Sequence, residues 1–257
     1  MLFDLKGKTA VITGSSRGIG RAIAERMAEA GANVAISSRK AGPCAEAAAA
    51  INKAHGAGRA IAAPANISSK DDLAGLVAAA RKAWGRIDIL VCNAASNPYF
   101  GPIAGVSDEQ FRKTLDNNIL STHWLVQMVA PEMAARRDGS IVIVSSIGAF
   151  RGSPSIGVYN ITKAADIQLA RNLAIELGPS NVRVNCIAPG LIRTDFSRAL
   201  WQDEKTLKRM TEPVPLRRIG EADEVAGAAV YLASPAASFV TGATIVIDGG
   251  ATVTTGF

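Results

Sequence analysis

The sequence predicts an α/β fold: a doubly wound parallel sheet of about seven strands with helices on both faces. Three observations predict it. Short runs rich in Val, Ile and Ala recur along the chain, each separated from the next by a helical stretch. The runs are continuous rather than alternating, the pattern of strands covered on both sides. A glycine-rich turn follows the first run directly, where strand gives way to helix.

The elements follow in order. Residues 9–13 (TAVIT) make the first strand. A helix over 21–30 comes next, with Ile19, Ile23 and Met27 four apart on one face and Gly31 as its stop. A second strand covers 33–38, an alanine-rich helix 41–54, a weaker strand 60–63 and a helix 71–84. Residues 87–93 form a strong fourth strand, almost without polar residues after Asp88. A long helical region spans 107–136, opened by Ser107 with Gln110 three residues later as a capping box. A strand at 141–145, a helix at 158–177, a strand at 182–187, a helix at 221–232 and a last strand at 244–248 complete the series. The one irregular stretch is 189–220, read as a substrate lid within a single domain over 1–257. No internal repeat, low-complexity tract or linker interrupts it.

Composition narrows the function. Apolar residues make up 48% of the chain, ample for one large core, while aromatics are only 5% and Ala and Gly abound. The net charge of +6 is scattered, and its densest groups are the pairs Arg136–Arg137 and Arg217–Arg218. Without a basic stripe this argues against nucleic acid, and a phosphate-rich cofactor is the simpler partner. Cys44, Cys92 and Cys186 are an odd number with no CxxC spacing, so they read as small buried hydrophobes in a reducing cytosol, and no metal site is expected. The MLFDLKGK start is too short and polar for a signal peptide, and no apolar run approaches the ~20 residues of a membrane span. The TTGF end is not a peroxisomal tripeptide, so the expected address is cytoplasmic.

The turn after the first strand reads Thr13-Gly14-Ser15-Ser16-Arg17-Gly18-Ile19-Gly20, spaced GxxxGxG. Glycines there permit a tight turn and close approach of backbone to a pyrophosphate, and the following helix aims its free N–H groups at the anion. The nucleotide type is read from the second strand. An NAD site places an acid about 20 residues on, to hold the ribose hydroxyls. Here that strand ends Ser37-Ser38-Arg39-Lys40, with no acid. Arg39 and Arg17 suit a 2′-phosphate through charge-assisted hydrogen bonds, so NADP(H) is the expected cofactor. The plain alternative is that both are solvated surface charges.

Tyr159 and Lys163 are four apart, one above the other on a helix face. Tyrosine ionises near pKa 10, too high for a base at neutral pH. A neighbouring ammonium and a positive nicotinamide ring favour the phenolate; a shift of ~3 units asks for about 4 kcal/mol. Ser146 follows the fifth strand, where loops line the ligand crevice, and its hydroxyl can polarise a carbonyl oxygen or serve only as a turn serine.

These residues together resemble the short-chain dehydrogenase/reductase family over essentially the whole length. The matching motifs are TGSSRGIG at 13–20, CNAA at 92–95, Asn118, Ser146, YNITK at 159–163, Asn185 with Ala188-Pro189-Gly190, and the closing Asp248-Gly249-Gly250. The resemblance implies a single-domain Rossmann fold and four catalytic residues. Tyr159 would exchange a proton with the substrate oxygen, Lys163 would assist it and hold the nicotinamide ribose, and Ser146 would orient the substrate oxygen. Asn118, preferred to Asn117 by a single residue's margin, would anchor a water that relays protons past Lys163. Gly14, Ser16, Arg17, Gly18, Ile19, Gly20, Asn93 and Ala94 would line the cofactor, with Pro189, Gly190, Ile192 and Thr194 closing over its nicotinamide end. Two positions depart from the family pattern: Ala95 stands where it has glycine, and Asn66, before Ile67 on the adenine side, where it often has an acid.

A closer resemblance, to animal peroxisomal NADPH-dependent carbonyl and retinal reductases, lies in SSRK at 37–40, NAASNPYFG at 93–101, VSSIGAF at 144–150 and NCIAPGLIRTDF at 185–196. Phe150, Phe196 and Trp201, with Tyr99, Phe100, Leu200 and Met210, make the lid segments apolar, which favours a hydrophobic carbonyl/alcohol substrate unless they merely pack the lid down. A 3-oxoacyl-[acyl-carrier-protein] reductase would use the same four residues and needs a basic docking surface, to which Arg136–Arg137 could contribute. An NADP(H)-sensing protein without chemistry is the further alternative, and intact Ser146, Tyr159 and Lys163 speak against it. The resemblance also implies a dimer or homotetramer, with the helices around Asn118 and Tyr159 packing across a two-fold axis.

Overall fold

In a computed structural model, which describes residues 1–254, seven strands form one sheet. They are β1 (Thr9–Thr13), β2 (Asn33–Ser37), β3 (Ala60–Ala62), β4 (Ile89–Cys92), β5 (Gly139–Val144), β6 (Val182–Pro189) and β7 (Thr244–Ile247). Their order is β3-β2-β1-β4-β5-β6-β7, and every neighbouring pair is parallel. The chain winds outward from β1 to β3, then crosses back to lay β4 on the other side of β1, where Val11 faces Ala35 on one flank and Leu90 on the other. That reversal opens a crevice at the carboxyl ends of β1 and β4.

The helices are α1 (Gly18–Glu29), α2 (Ala41–His55), α3 (Lys70–Trp84), α4 (Asp108–Leu115), α5 (Ser121–Arg136), α6 (Gly157–Leu177), α7 (Arg198–Trp201), α8 (Glu204–Thr211) and α9 (Ala222–Ala233). Successive strand residues point to opposite faces. Ile12, Ile36, Val91 and Val142 pack with Ile23 and Met27 of α1, Ile51 of α2 and Val225 of α9. Val11, Ala35, Leu90 and Ile141 pack on the other side with Leu73 of α3, Leu125 of α5 and Ile167 of α6. Both faces are buried, which is why the runs are continuous. The architecture is a single-domain Rossmann fold, as the sequence predicts. All three cysteines are buried and unpaired.

The long helical region is broken in a useful way. Ser107 and Gln110 cap α4 reciprocally, Ser107 Oγ accepting from the Gln110 N–H at 3.2 Å and Gln110 Oε1 from the Ser107 N–H at 3.1 Å. Between α4 and α5 the chain widens into a π turn over Asp116–Leu120, and Asn117 and Asn118 lie inside it. Such turns add a residue to one helical revolution and recur at functional sites.

One expectation needs correction. Residues 189–220 are not uniformly irregular, because α7 and α8 form there. Neither helix buries a residue, and both are short, α7 with four residues and α8 with eight. α8 begins instead on a cap, with the Asp203 carboxylate accepting the Thr206 N–H at 2.7 Å. No helix among the described residues is long and apolar enough to cross a membrane. The TTGF end, where a peroxisomal tripeptide would stand, lies almost wholly outside the described residues.

Candidate active site

The cradle is shaped by its glycines. Gly14 and Gly18 adopt φ of +66° and +57°, a region that favours glycine. Gly20 has ordinary φ, but a Cβ there would fall 2.4 Å from the Gly14 carbonyl oxygen and 2.5 Å from Asn93 Nδ2. No side chain caps α1, and its first turn holds no acid, so its leading N–H groups face the crevice with the helix's positive end behind them. Ser16 and Ile19 sit half-buried on the turn. Ser15 is buried and structural: it donates to the Ile12 carbonyl at 2.6 Å and accepts the Ser37 N–H at 2.9 Å.

Asn93 serves the cradle from β4. Its Nδ2 donates to the carbonyls of Thr13 at 2.9 Å and Gly14 at 3.2 Å. Thr13 Oγ1 in turn accepts the N–H groups of Asn93 and Ala94 at 3.0 and 3.1 Å. The carboxyl ends of β1 and β4 are thereby stapled together, and Ala94 and Ala95 line the crevice half-buried. On the β3 side, Asn66 Oδ1 accepts from the Ser68 hydroxyl at 2.8 Å, leaving its amide N–H groups unengaged, while Ile67 packs on the core.

The segment over 189–220 meets the end of β7 through Gly190 and the glycine turn through Thr194. Gly190 follows β6 so close to Asp248 that a Cβ would lie 2.8 Å from the Asp248 Cα. Beyond Pro189 and the buried Ile192, Thr194 comes to rest with its Cγ2 at 3.3 Å from where a Cβ on Gly18 would lie. Arg17 Nη1 pairs with Asp195 at 3.2 Å, with 72% of the Arg17 side chain exposed. Arg39 is exposed past the end of β2, and no acid among the described residues pairs with it.

Tyr159 and Lys163 stand on the first turns of α6, and the Lys163 ammonium nitrogen lies 5.6 Å from the centre of the Tyr159 ring. Ser146 follows β5, its Oγ accepting the Gly148 N–H at 3.1 Å. Asn118 is buried in the π turn, where Oδ1 accepts the Ser96 N–H at 2.8 Å and Nδ2 donates to the Ser96 carbonyl and to Thr162 Oγ1, both at 3.0 Å. Thr162 donates on to the Tyr159 carbonyl at 2.7 Å. Both Nδ2 hydrogens of Asn118 are therefore engaged within the protein. Asn117 reaches the same loop, through the Ser96 hydroxyl at 2.8 Å, but not α6.

The aromatics expected near the substrate divide. Phe196, 63% exposed, sets its ring centre 6.1 Å from that of Tyr159. Trp201 turns into the lid, donating from Nε1 to the Thr194 carbonyl at 3.0 Å with the Arg193 guanidinium 5.1 Å over its ring. Phe150 is exposed at the end of the short turn Ile147–Phe150.

Sequence reasoning missed Asp166. It is 1% exposed, and its Oδ2 pairs with Lys163 Nζ at 2.9 Å. Burial alone would lower the Lys163 ammonium; the Asp166 carboxylate outweighs that, aided by Tyr159, and holds it above the ordinary value. Nearby, burial pushes the Cys92 thiol up to about 12, which makes it inert. The available signal was an acid three residues after Lys163 on an otherwise apolar helix face. Thr162 and Ser96 were missed as well, and neither carries a composition signal.

The fold and this site define an oxidoreductase, and the chain belongs to the short-chain dehydrogenase/reductase family. A family model described as enoyl-(acyl carrier protein) reductase matches residues 14–252. Dehydrogenase/reductase SDR family member 4 of Homo sapiens is 46% identical over 247 residues, covering 96% of this chain and 88% of the relative. Dehydrogenase/reductase SDR family member 2, mitochondrial, of Homo sapiens is 41% identical over 249 residues, with the same two shares. A solved 7α-hydroxysteroid dehydrogenase, in complex with NADH and 7-oxo glycochenodeoxycholic acid, superposes with a TM-score of 0.92 at 36% identity, covering 97% of this chain and 96% of that one. A gluconate 5-dehydrogenase from Burkholderia cenocepacia, with NADP and tartrate, does so at 0.92 and 31% identity, covering 99% and 98%. The acyl-carrier alternative is not favoured. Arg136 sends Nη2 to the Ile87 carbonyl at 2.6 Å, at the amino end of the sheet, so it cannot dock a carrier beside the crevice.

Proposed function

We propose that the protein is an NADP(H)-dependent oxidoreductase that reduces a hydrophobic ketone, aldehyde or dicarbonyl to an alcohol, reversibly, with Tyr159 as acid/base. The observation that carries the reading is the Lys163 ammonium 5.6 Å from the Tyr159 ring, at the carboxyl end of the sheet where Ser146 also emerges. The cradle fits a dinucleotide: Gly20 has no room for a side chain against Gly14, and the uncapped start of α1 offers N–H groups to a pyrophosphate.

The nicotinamide supplies one thing when bound, a hydride for the carbonyl carbon. Tyr159 gives its phenolic proton to the substrate oxygen in reduction and takes it back in oxidation. Ser146 donates a hydrogen bond to the same oxygen as negative charge develops on it. Lys163 places positive charge beside the tyrosine and has a donor for the nicotinamide ribose. Asn118 fixes the turn that carries Tyr159, through Thr162. A relay water would be held by its main-chain carbonyl, since its amide hydrogens are already engaged.

NADP(H) is favoured over NAD(H) by Arg39, exposed at the end of β2 with no acid beside it. Arg17, on the glycine turn, is held only in an exposed ion pair, the kind that is worth little and yields readily to a phosphate. The lid over 189–220 supplies Phe196 to the substrate side of Tyr159. The partner is a small molecule, and the assembly is a homotetramer to which α6, with Ile161 and Ile175 exposed on it, contributes. Three buried thiols suit a cytoplasmic address.

The test is initial-rate reduction of an aromatic ketone, an α-dicarbonyl, retinal and a 3-oxoacyl thioester, with NADPH and NADH side by side. A strong NADPH preference with ketone or dicarbonyl turnover supports the reading. Equal or better use of NADH removes the argument from Arg17 and Arg39. Tyr159→Phe must abolish turnover.

A further inference from the structure

The buried ion pair between Lys163 and Asp166 is not explained by stability. Asp166 is 1% exposed and Lys163 3%, so both charges are taken out of water. The Asp166 carboxylate is poorly compensated: Oδ2 meets Lys163 at 2.9 Å, but Oδ1 has no partner. A buried carboxylate with a bare oxygen is a poor stabiliser, and an apolar side chain of similar volume is commonly neutral or better in such a place. What the carboxylate does is local. Lys163 Nζ has three hydrogens, of which one goes to Asp166 and one to the Val144 carbonyl at 2.9 Å. These two bonds pin the ammonium between α6 and the end of β5 and leave one donor for the active site.

The surroundings supply no substitute for this carboxylate. The titratable groups that face the pair are Tyr159 on α6, Cys92 at the end of β4 and Cys186 in β6, with Arg171 further along α6 acting on Cys186. Both thiols are buried and pushed upward, so they stay neutral. Among the described residues, Asp166 is the one carboxyl group against Lys163; burial pushes its pKa up, and the Lys163 ammonium pulls it back.

We propose that Asp166 is a positioning residue of the active site: it holds Lys163 Nζ against the Val144 carbonyl and keeps the ammonium charged beside Tyr159. The role rests on the proposed oxidoreductase activity only for its consequence in catalysis. The ion pair and its effect on Lys163 can be measured without substrate or cofactor.

The experiment follows the Lys163 side chain by NMR in protein carrying carbon-13 lysine, with Lys163→Met to assign the resonance, and records alcohol oxidation against pH in parallel. In the wild-type protein Lys163 should stay charged beyond the pH at which an ordinary lysine titrates. Asp166→Asn keeps an oxygen for the hydrogen bond but removes the charge. It should lower the Lys163 titration by at least one pH unit, a tenfold loss of proton affinity. The alkaline fall in oxidation rate should move down with it, whereas Asp166→Glu should restore both. An unmoved titration in Asp166→Asn, or a rate lowered equally at every pH, would overturn the proposal. So would a wild-type Lys163 that titrates below an ordinary lysine, a result obtained even if the variant fails to fold. Failure of the wild-type protein to turn over any carbonyl or alcohol would sink the proposed reaction, while the NMR titration would still decide the role of Asp166.

Discussion

Asn118 donates from Nδ2 to Thr162 Oγ1 at 3.0 Å, and Thr162 passes the contact to the Tyr159 carbonyl at 2.7 Å. The π turn is thereby fastened to the turn of α6 that carries Tyr159. Thr162→Val keeps the shape and leaves a buried amide hydrogen without an acceptor. It should cost about 1–3 kcal/mol of stability and lower kcat more than it raises KM. Denaturant unfolding and steady-state kinetics on the same preparation check both, and unchanged kcat would show that the link does not position Tyr159.

Gly20 and Gly18 separate two reasons for glycine. A Cβ on Gly20 would fall 2.4 Å from a backbone oxygen that cannot retreat without opening the cradle. At Gly18 it would meet the Thr194 methyl at 3.3 Å, and the strain comes from φ of +57°. Gly20→Ala should therefore weaken NADPH binding at least tenfold, about 1.4 kcal/mol. Gly18→Ala should chiefly reduce stability, by about 1–2 kcal/mol. Nucleotide fluorescence titration distinguishes them.

Arg39 stands where an NAD site has its acid. On the proposed NADP(H) reading, Arg39→Asp would set a carboxylate against the 2′-phosphate. A charge-assisted hydrogen bond contributes about 1.5–3 kcal/mol, so the kcat/KM ratio of NADPH to NADH should drop at least tenfold. A ratio that does not change would mean that Arg39 is only a solvated surface charge.

Much of the fold and site was legible because the signals are local. Continuous apolar runs mark β1, β4 and β5, since both faces of those strands are covered. The glycines of 14–20 are legible because their spacing fixes a turn between strand and helix. What stayed hidden depends on tertiary approach. Asp166 reads as an acid on a helix until α6 packs on β5 and β6 and buries it. Helices α7 and α8 are four and eight residues long and bury nothing, so little apolar sequence marks them. The role of Asn93 as a staple between β1 and β4 follows from strand order, which spacing does not show.

The segment over 189–220 ends on a charged clasp. Arg218 donates to both Glu224 carboxylate oxygens, at 2.6 and 2.7 Å, and the Glu221 N–H adds a third bond at 2.8 Å. The Arg218 guanidinium first, then the Glu221 N–H, holds the Glu224 carboxyl down at about 2, against an ordinary 4.5. A carboxyl depressed in the folded state contributes stability that is full above its unfolded value and is lost as pH falls towards the folded one. The clasp should hold at neutral pH and weaken between 4.5 and about 2. Glu224→Gln should be less stable than wild type at pH 6 and differ less from it at pH 3. A gap that is equal at both, in urea unfolding, would rule the clasp out.

Phe196 and Trp201 test whether the lid aromatics touch substrate or only pack. Phe196 leaves most of its ring in solvent 6.1 Å from the Tyr159 ring, so the exposed face is open to an apolar group bound at Tyr159. Trp201 is tied by Nε1 to the Thr194 carbonyl and covered by Arg193. An aromatic contact contributes about 0.5–1.5 kcal/mol beyond area burial. Phe196→Ala should therefore raise KM for an aromatic ketone by about tenfold while changing a small aliphatic dicarbonyl little. Trp201→Phe keeps the ring but removes the hydrogen bond, so it should loosen the lid and affect both substrates alike. If Phe196→Ala lowers the two substrates equally, the phenyl ring serves the lid, and the hydrophobic selectivity must come from the segments around Tyr99 and Phe150.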